Sequence, residues 1–260
     1  MTDARGPLLL DMRGVTKRFG GLTAVKDLSL QVPRGSLFGL IGPNGAGKTT
    51  IFNLLTGVYR PTEGEIHFGG RRVDGRRPYE IASLGMTRTF QNIRLFPDMT
   101  VLENVMTARH LRSRQSLADA VIGTPRHHRE ERRTHERARE LLAIFGLDGL
   151  ADEIATNLPY GSQRRLEIAR ALATEPALLL LDEPAAGMNP QESRELMDLI
   201  RWIRDEFSLT ILLVEHNMKV VMGICEQIQV IDYGEAIAFG TPAEIQRNPA
   251  VIAAYLGGGH

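Results

Sequence analysis

Gly42-Pro43-Asn44-Gly45-Ala46-Gly47-Lys48-Thr49 follows directly on the apolar run Phe38-Gly39-Leu40-Ile41, and Ile51 to Leu55 continues as a helical run. The octet meets the pattern G-x-x-x-x-G-K-[ST], which works as a phosphate-binding loop when a strand precedes it and a helix follows. Both flanks have that character, which argues against a chance glycine-rich turn. Glycines let the backbone wrap so that successive N–H groups point inward at phosphate oxygens. The helix opening near Lys48 adds the positive end of its dipole. Lys48 is placed to reach β- and γ-phosphates, and the Thr49 hydroxyl to ligate Mg²⁺. The residues expected to bind nucleotide are therefore Gly42, Pro43, Asn44, Gly45, Ala46, Gly47, Lys48, Thr49 and Thr50.

A second apolar run, Ala177-Leu178-Leu179-Leu180-Leu181, ends in Asp182-Glu183-Pro184. Bounded by turn signals, it reads as a strand buried on both faces. In a phosphate-loop ATPase an acid at that strand end holds Mg²⁺, usually through water. The next acid can polarise the attacking water. Asp182 and Glu183 take these parts; two solvated acids at a strand end is the plainer alternative. Thr210 to Val214 is another buried strand, ending at Glu215-His216, and a charged helix spans 191–206.

Strands are also expected over 8–15, 28–32, 36–41 and 65–68, broken by Gly20-Gly21, Pro33-Arg34-Gly35 and Arg60–Gly64. Residues 100–122 and 130–146 look helical. Ala138, Leu141, Leu142 and Phe145 form an i, i+3, i+4, i+7 stripe. Thr241-Pro242-Ala243-Glu244 and Asn248-Pro249 both read as helix starts. Strands alternating with helices argue for a mostly parallel α/β core.

The 31 Lys plus Arg balance 31 Asp plus Glu, so a dominant attraction to nucleic acid is not indicated. The single cysteine, Cys225, forbids an intramolecular disulfide and fits a reducing compartment. The N-terminal three-leucine stretch is too short for a signal-peptide core. No segment approaches ~18 uninterrupted apolar residues, so a membrane role would run through docking on another chain.

These pieces, in this order, resemble the nucleotide-binding subunits of ABC transporters over nearly the whole chain. The resemblance implies a phosphate-loop NTPase core with an N-terminal antiparallel β subdomain and an inserted α-helical subdomain. It makes 1–260 one nucleotide-binding domain: a β-rich part with the phosphate loop (1–92), a helical subdomain with the signature motif (93–172), the second half of the core (173–240) and a helical tail (241–260). Gln91 in Thr89-Phe90-Gln91-Asn92 matches the family's Q-loop glutamine, expected to sense Mg²⁺ and the γ-phosphate. His216 matches the switch histidine, expected to contact the γ-phosphate. Phe19 matches the aromatic that stacks on adenine, and Val25 falls among the expected nucleotide contacts.

Two motifs depart from the common family form. Where it reads L-S-G-G-Q, this chain has Leu158-Pro159-Tyr160-Gly161-Ser162. Proline supplies neither hydroxyl nor N–H, so the usual serine contact to the partner's ATP does not carry over. Ser162 lies close enough to stand in as a donor. Asn189 stands in the D-loop where the family commonly has aspartate; it can hydrogen-bond across a dimer but carries no charge.

The Tyr-Gly signature, Gln163 to Arg170, Glu183 to Gly187 and the ending Asn248-Pro249 to Tyr255-Leu256-Gly257 look like the branched-chain amino acid importer family. The likeness implies ATP and Mg²⁺, ATP hydrolysis coupled to import of Leu, Ile and Val, and a peripheral place on the cytoplasmic face of the inner membrane. Its implied partners are a second, non-identical ATP-binding subunit, two membrane permeases and, indirectly, a periplasmic binding protein; the isolated chain could form a homodimer. The basic segment around 110–135 fits the longer of the two ATPases. Between Arg126 and Glu140 lie six Arg, four Glu and three His. The Arg/His-rich segment 126–135 reads as a solvated mixed-charge helix, or as a contact for lipid headgroups or permease. The alternatives are the same ATPase role in an importer of urea, short amides or another amino acid, or in a lipid-cargo exporter. Translation and repair ABC proteins, with duplicated cassettes or long coiled coils, fit one phosphate loop poorly. A non-catalytic nucleotide module fits an intact Lys48, Asp182, Glu183 and His216 poorly.

Overall fold

Phe19 pairs with Leu22 across Gly20-Gly21, so the expected break is a two-residue hairpin turn and the strands run right up to it. Strand β1 is Leu8–Phe19 and β2 is Leu22–Pro33, both longer than the sequence suggests. The computed structural model describes residues 7–109, 111 and 125–256, except the side chains of 125–127 and 256. The described chain divides into two compact units, one from residues up to 88 together with those from 177 onward, the other from 89–176.

The first unit holds two sheets. With β4 (Glu63–Phe68) and β5 (Arg71–Arg72), the hairpin makes an antiparallel sheet of order β2-β1-β4-β5. The second sheet has the order β10-β9-β3-β8-β7-β6. Its members are β3 (Leu37–Ile41), β6 (Met86–Arg88), β7 (Leu178–Asp182), β8 (Thr210–Val214), β9 (Gln227–Asp232) and β10 (Glu235–Gly240). All its pairings are parallel except β9 with β10. Every residue of β3, β7 and β8 is buried, as continuous apolar runs require when both faces are covered. Helix α1 (Lys48–Leu55) lends Ile51, Phe52, Leu54 and Leu55 to a core shared with Leu10, Met12, Phe38 and Leu180. Helix α2 (Pro78–Leu84), β6, β9 and β10 were not legible as elements; β6 is only three residues long. Cys225 is buried, and burial pushes its thiol up to about 12, which makes it an inert core residue.

In the second unit, α3 is Val101–Arg109, started by a reciprocal cap between Thr100 and Glu103. The continuation expected beyond it, over 112–122, lies outside the described residues. Helix α4 (Pro125–Ile144) is followed by α5 (Tyr160–Leu172). The stripe Ala138, Leu141, Leu142 and Phe145 is fully inward, at most 2% exposed. His128, Arg129, Arg132 and Arg133 are exposed on α4.

Helices α6 (Pro190–Glu206), α7 (Met218–Ile224), α8 (Pro242–Arg247) and α9 (Pro249–Leu256) complete the first unit. Both expected starts in the tail are helix starts, and Thr241 with Glu244 forms the capping box. Among the described residues no helix is long and apolar enough to cross a membrane.

Candidate functional site

Register decides which side chains meet. Leu40 of β3 pairs with Val214 of β8, and Val214 pairs with Asp182 of β7. Three parallel strands therefore end level. The residues that follow them, Gly42–Thr49, Glu183 and Glu215-His216, emerge side by side at the carboxyl edge, where open α/β sheets bind ligands.

Two glycines of the loop are dictated by space. A Cβ on Gly42 would meet the Ile231 carbonyl at 2.1 Å. Gly47 has φ 102°, and a Cβ there would lie 2.6 Å from the Ala24 carbonyl. The Gly234 N–H donates to the Ala46 carbonyl at 3.0 Å and ties the loop to the turn after β9. Gly47 is also the N-cap of α1 and offers no side-chain acceptor. The first N–H groups of that helix are thus left for an anionic ligand. Pro43 is half-buried, Asn44, Gly45 and Thr49 are exposed and Thr50 is half-buried. Val25 is fully buried and packs beneath Gly47, so it shapes the loop's floor.

Lys48 donates through Nζ to the carbonyls of Gly42 and Pro43, at 2.7 and 2.9 Å. Burial lowers its pKa, and the nearby charges of Glu183 and Asp182 oppose that. Asp182 accepts from Arg88 Nη2 at 2.6 Å, with both side chains 7% exposed. Arg88 also donates to Asn53 of α1 at 2.7 Å. Glu183 adopts φ 47°, a left-handed conformation uncommon for a residue with a Cβ. Its N–H donates to the Val214 carbonyl at 2.8 Å, and its carboxylate lies 3.4 Å from His216 Nδ1.

Sequence reasoning missed Glu215. It is 1% exposed, and its carboxylate accepts the Ala185 N–H at 3.0 Å, bracing the turn after Glu183 from the strand that carries His216. Burial pushes its pKa up; the N–H donors of Ala185 and Asn217 oppose this. Its place between Val214 and His216 was the available signal. Arg88 was also missed, as was the tail's share in the site. Tyr255 and Ala253 of α9 line a cavity of about 860 Å³ together with Gly42–Gly45, His216 and Tyr233.

Phe19 is 40% exposed at the end of β1, edge-on to Tyr59 with ring centroids 5.1 Å apart. Asn189 caps α6, its side-chain oxygen accepting from the N–H groups of Gln191 and Glu192, both at 2.9 Å. Gln91 and residues 158–162 belong to the other unit. The Gln91 side chain is exposed. Pro159 is the N-cap of α5, so the departure from the common signature puts proline where no intrahelical N–H is required. Tyr160, Gly161 and Ser162 form the first turn, with no side-chain cap on the helix.

A family model described as "ABC transporter" matches residues 25–186. A second, described as "Branched-chain amino acid ATP-binding cassette transporter", matches residues 237–260. The high-affinity branched-chain amino acid transport ATP-binding protein LivG of Salmonella typhimurium is 49% identical over 249 residues, covering 96% of this chain and 98% of that protein. The corresponding protein BraF of Pseudomonas aeruginosa is 47% identical with the same coverage. Among solved structures, the ADP conformation of an ATP-binding cassette of an ABC transporter superposes with a TM-score of 0.83 at 28% identity, covering 96% of this chain and 99% of that one. With a phosphate loop, an Asp-Glu pair and a histidine level at the carboxyl edge of its sheet, the chain belongs to the ABC transporter family as a nucleotide-binding ATPase cassette.

Proposed function

We propose that this chain is an ATP-hydrolysing subunit of an importer of branched-chain amino acids. The observation that carries the ATPase part is the convergence of Lys48, Asp182, Glu183 and His216 at the carboxyl ends of β3, β7 and β8. The cargo part is supported by the match of residues 237–260 and by relatives nearly identical in length.

The loop N–H groups and Lys48 would bind the triphosphate, with charge-assisted contacts that strengthen as negative charge shifts in the transition state. Glu183 would orient and polarise the attacking water, and His216, 3.4 Å away, would steady that carboxylate and meet the γ-phosphate. Thr49 and Asp182 offer hard oxygen donors, and no three His, Cys, Asp or Glu cluster as a metal cage among the described residues. That set suits Mg²⁺, which keeps several waters and takes one or two carboxylates plus substrate phosphates. When bound, Mg²⁺ would neutralise charge on the phosphate oxygens. Gln91 would report the γ-phosphate, and the first turn of α5 would complete the site of a second ATP-binding subunit. Two permeases would receive the motion at the cytoplasmic face of the inner membrane, with a periplasmic binding protein delivering cargo.

Phe19 would stack on the adenine. Phe19→Ala is expected to weaken ATP by about 1 kcal/mol, roughly fivefold, and to leave tripolyphosphate binding unchanged. Equal weakening of both ligands, read by calorimetry, would remove the stacking role.

The function as a whole is tested by co-purifying the chain with its permeases and partner ATPase, then measuring ATPase in liposomes. Leucine-loaded binding protein is expected to stimulate turnover severalfold. Stimulation by a urea- or amide-loaded binding protein, with none by leucine, would overturn the cargo assignment.

A further inference from the structure

Arg164 is the largest fully buried side chain of the described residues, at 0% exposure, and Glu167, one helical turn along α5, is 1% exposed. Both lie in the unit formed by residues 89–176. The pair is bonded directly, Arg164 Nη1 to Glu167 Oε2 at 2.7 Å. Burying two charges is costly unless their remaining donors and acceptors are satisfied. Here one short segment takes up most of them, and of the guanidinium nitrogens Nε alone is buried with no hydrogen-bond partner. Arg164 donates to the carbonyls of Phe90 and Gln91, both at 2.7 Å. Glu167 Oε1 accepts the N–H groups of Phe90 and Arg94, at 3.2 and 3.4 Å. The second fork of Arg164 also donates to the Tyr160 hydroxyl at 3.1 Å, in the first turn of the same helix.

Four backbone groups between Phe90 and Arg94 are therefore held by one ion pair, whose guanidinium also meets the helix's own N-terminus. A segment with no regular structure of its own is fastened to α5 by charge-assisted bonds, about twice as strong as neutral ones. Ordinary core packing would have been met by apolar side chains at 164 and 167, without this desolvation. The directional arrangement fixes where the Gln91 backbone sits.

We propose that Arg164 and Glu167 are positioning residues that clamp the Phe90–Arg94 segment to the signature helix, so that Gln91 and the Tyr160–Ser162 turn move as one body during the ATPase cycle. This rests on the reading of Gln91 as the nucleotide sensor and of 158–162 as the partner-facing signature. The clamp also gives Tyr160 a use: its hydroxyl ties the departed signature to the same guanidinium.

The test uses the complete transporter and removes both charges together, since either single removal strands a buried ion. The double variant Arg164→Met, Glu167→Met is expected to melt within a few degrees of wild type and to bind ATP unchanged. Amide exchange at Phe90 and Arg94 should speed up about tenfold or more, as for a segment freed from its anchors. Cargo-stimulated turnover should fall by roughly 10–100-fold, the scale of ångström-level misplacement. Unchanged exchange, or stimulated turnover within about twofold of wild type, would overturn the proposal. Arg164→Lys keeps the charge but cannot bridge both carbonyls with a planar fork. It covers the case in which the double variant does not fold, and should shift both readouts in the same direction; no shift in either overturns the clamp. Gln91→Ala separates the two layers. It should lower turnover while exchange at Phe90 and Arg94 stays as in wild type. If Gln91→Ala leaves turnover unchanged, the sensor reading fails, and the exchange data still decide whether the clamp exists.

Discussion

Glu183→Gln is expected to keep ATP bound while cutting hydrolysis by roughly 10²–10⁴-fold, the range a positioned general base contributes. The amide has the shape of the carboxylate, so the left-handed backbone at φ 47° and the N–H bond to the Val214 carbonyl at 2.8 Å should be undisturbed. What is lost is the charge 3.4 Å from His216 Nδ1 and the basic oxygen that would take a proton from water. The change also removes a negative charge that opposes the lowering of the Lys48 pKa. ATP binding should therefore vary by no more than a few-fold, about 1 kcal/mol. Equilibrium titration with a fluorescent ATP analogue and steady-state hydrolysis by the assembled complex separate the two quantities. Turnover near wild type would mean that another group activates the water. Loss of binding in parallel with turnover would mean that Glu183 holds the loop together instead.

The parts of this site that could be read from the sequence are those whose partners are a few residues away. Gly42–Thr49 carries its own flanking strand and helix. Asp182-Glu183 and Glu215-His216 each follow a run of four buried apolar residues, and parallel strands bring such ends to one edge. Arg88 could not be read this way. Its partner Asp182 is 94 positions later, and an arginine in a three-residue strand looks like any surface charge. Arg164 and Glu167 mislead for the same reason. At i, i+3 on a helix they resemble an exposed pair, and their bonds to Phe90, Gln91 and Arg94, 73–77 positions earlier, do not show in the local sequence. Gly20-Gly21 was legible as a break but not as a hairpin turn, because pairing of Phe19 with Leu22 depends on the whole register of β1 with β2. Asn189 stands in the D-loop by position, and its local chemistry, an Asn followed by proline and then Glu at the third helical residue, makes it a cap as well.

Lys48→Ala should abolish useful ATP binding, and the manner of the loss discriminates between two roles for the lysine. Its ammonium donates to the carbonyls of Gly42 and Pro43 and lies largely buried, 8% exposed, at the mouth of the loop. If those two bonds chiefly shape the loop, removing them should lower the melting temperature of the nucleotide-free chain. Burial, however, is the first cause of its lowered pKa, so the folded state disfavours the charge it holds there. A ligand would repair that cost, and on the proposed function it is the β- and γ-phosphate oxygens that would do so. Charge-assisted bonds contribute about 1.5–3 kcal/mol each. Two of them lost to phosphate amount to about 3–6 kcal/mol, or roughly 10²–10⁴-fold in affinity. A nucleotide present at 100 times its dissociation constant stabilises the wild type by about 2.7 kcal/mol. At the same concentration the variant should show almost none of this. The expected result in a thermal melt is an unchanged or slightly higher midpoint without ATP, and a vanished ATP-dependent shift. A variant that melts several degrees lower without ATP, yet keeps a wild-type shift on adding it, would assign Lys48 to the architecture of the loop and leave phosphate binding to the backbone N–H groups alone.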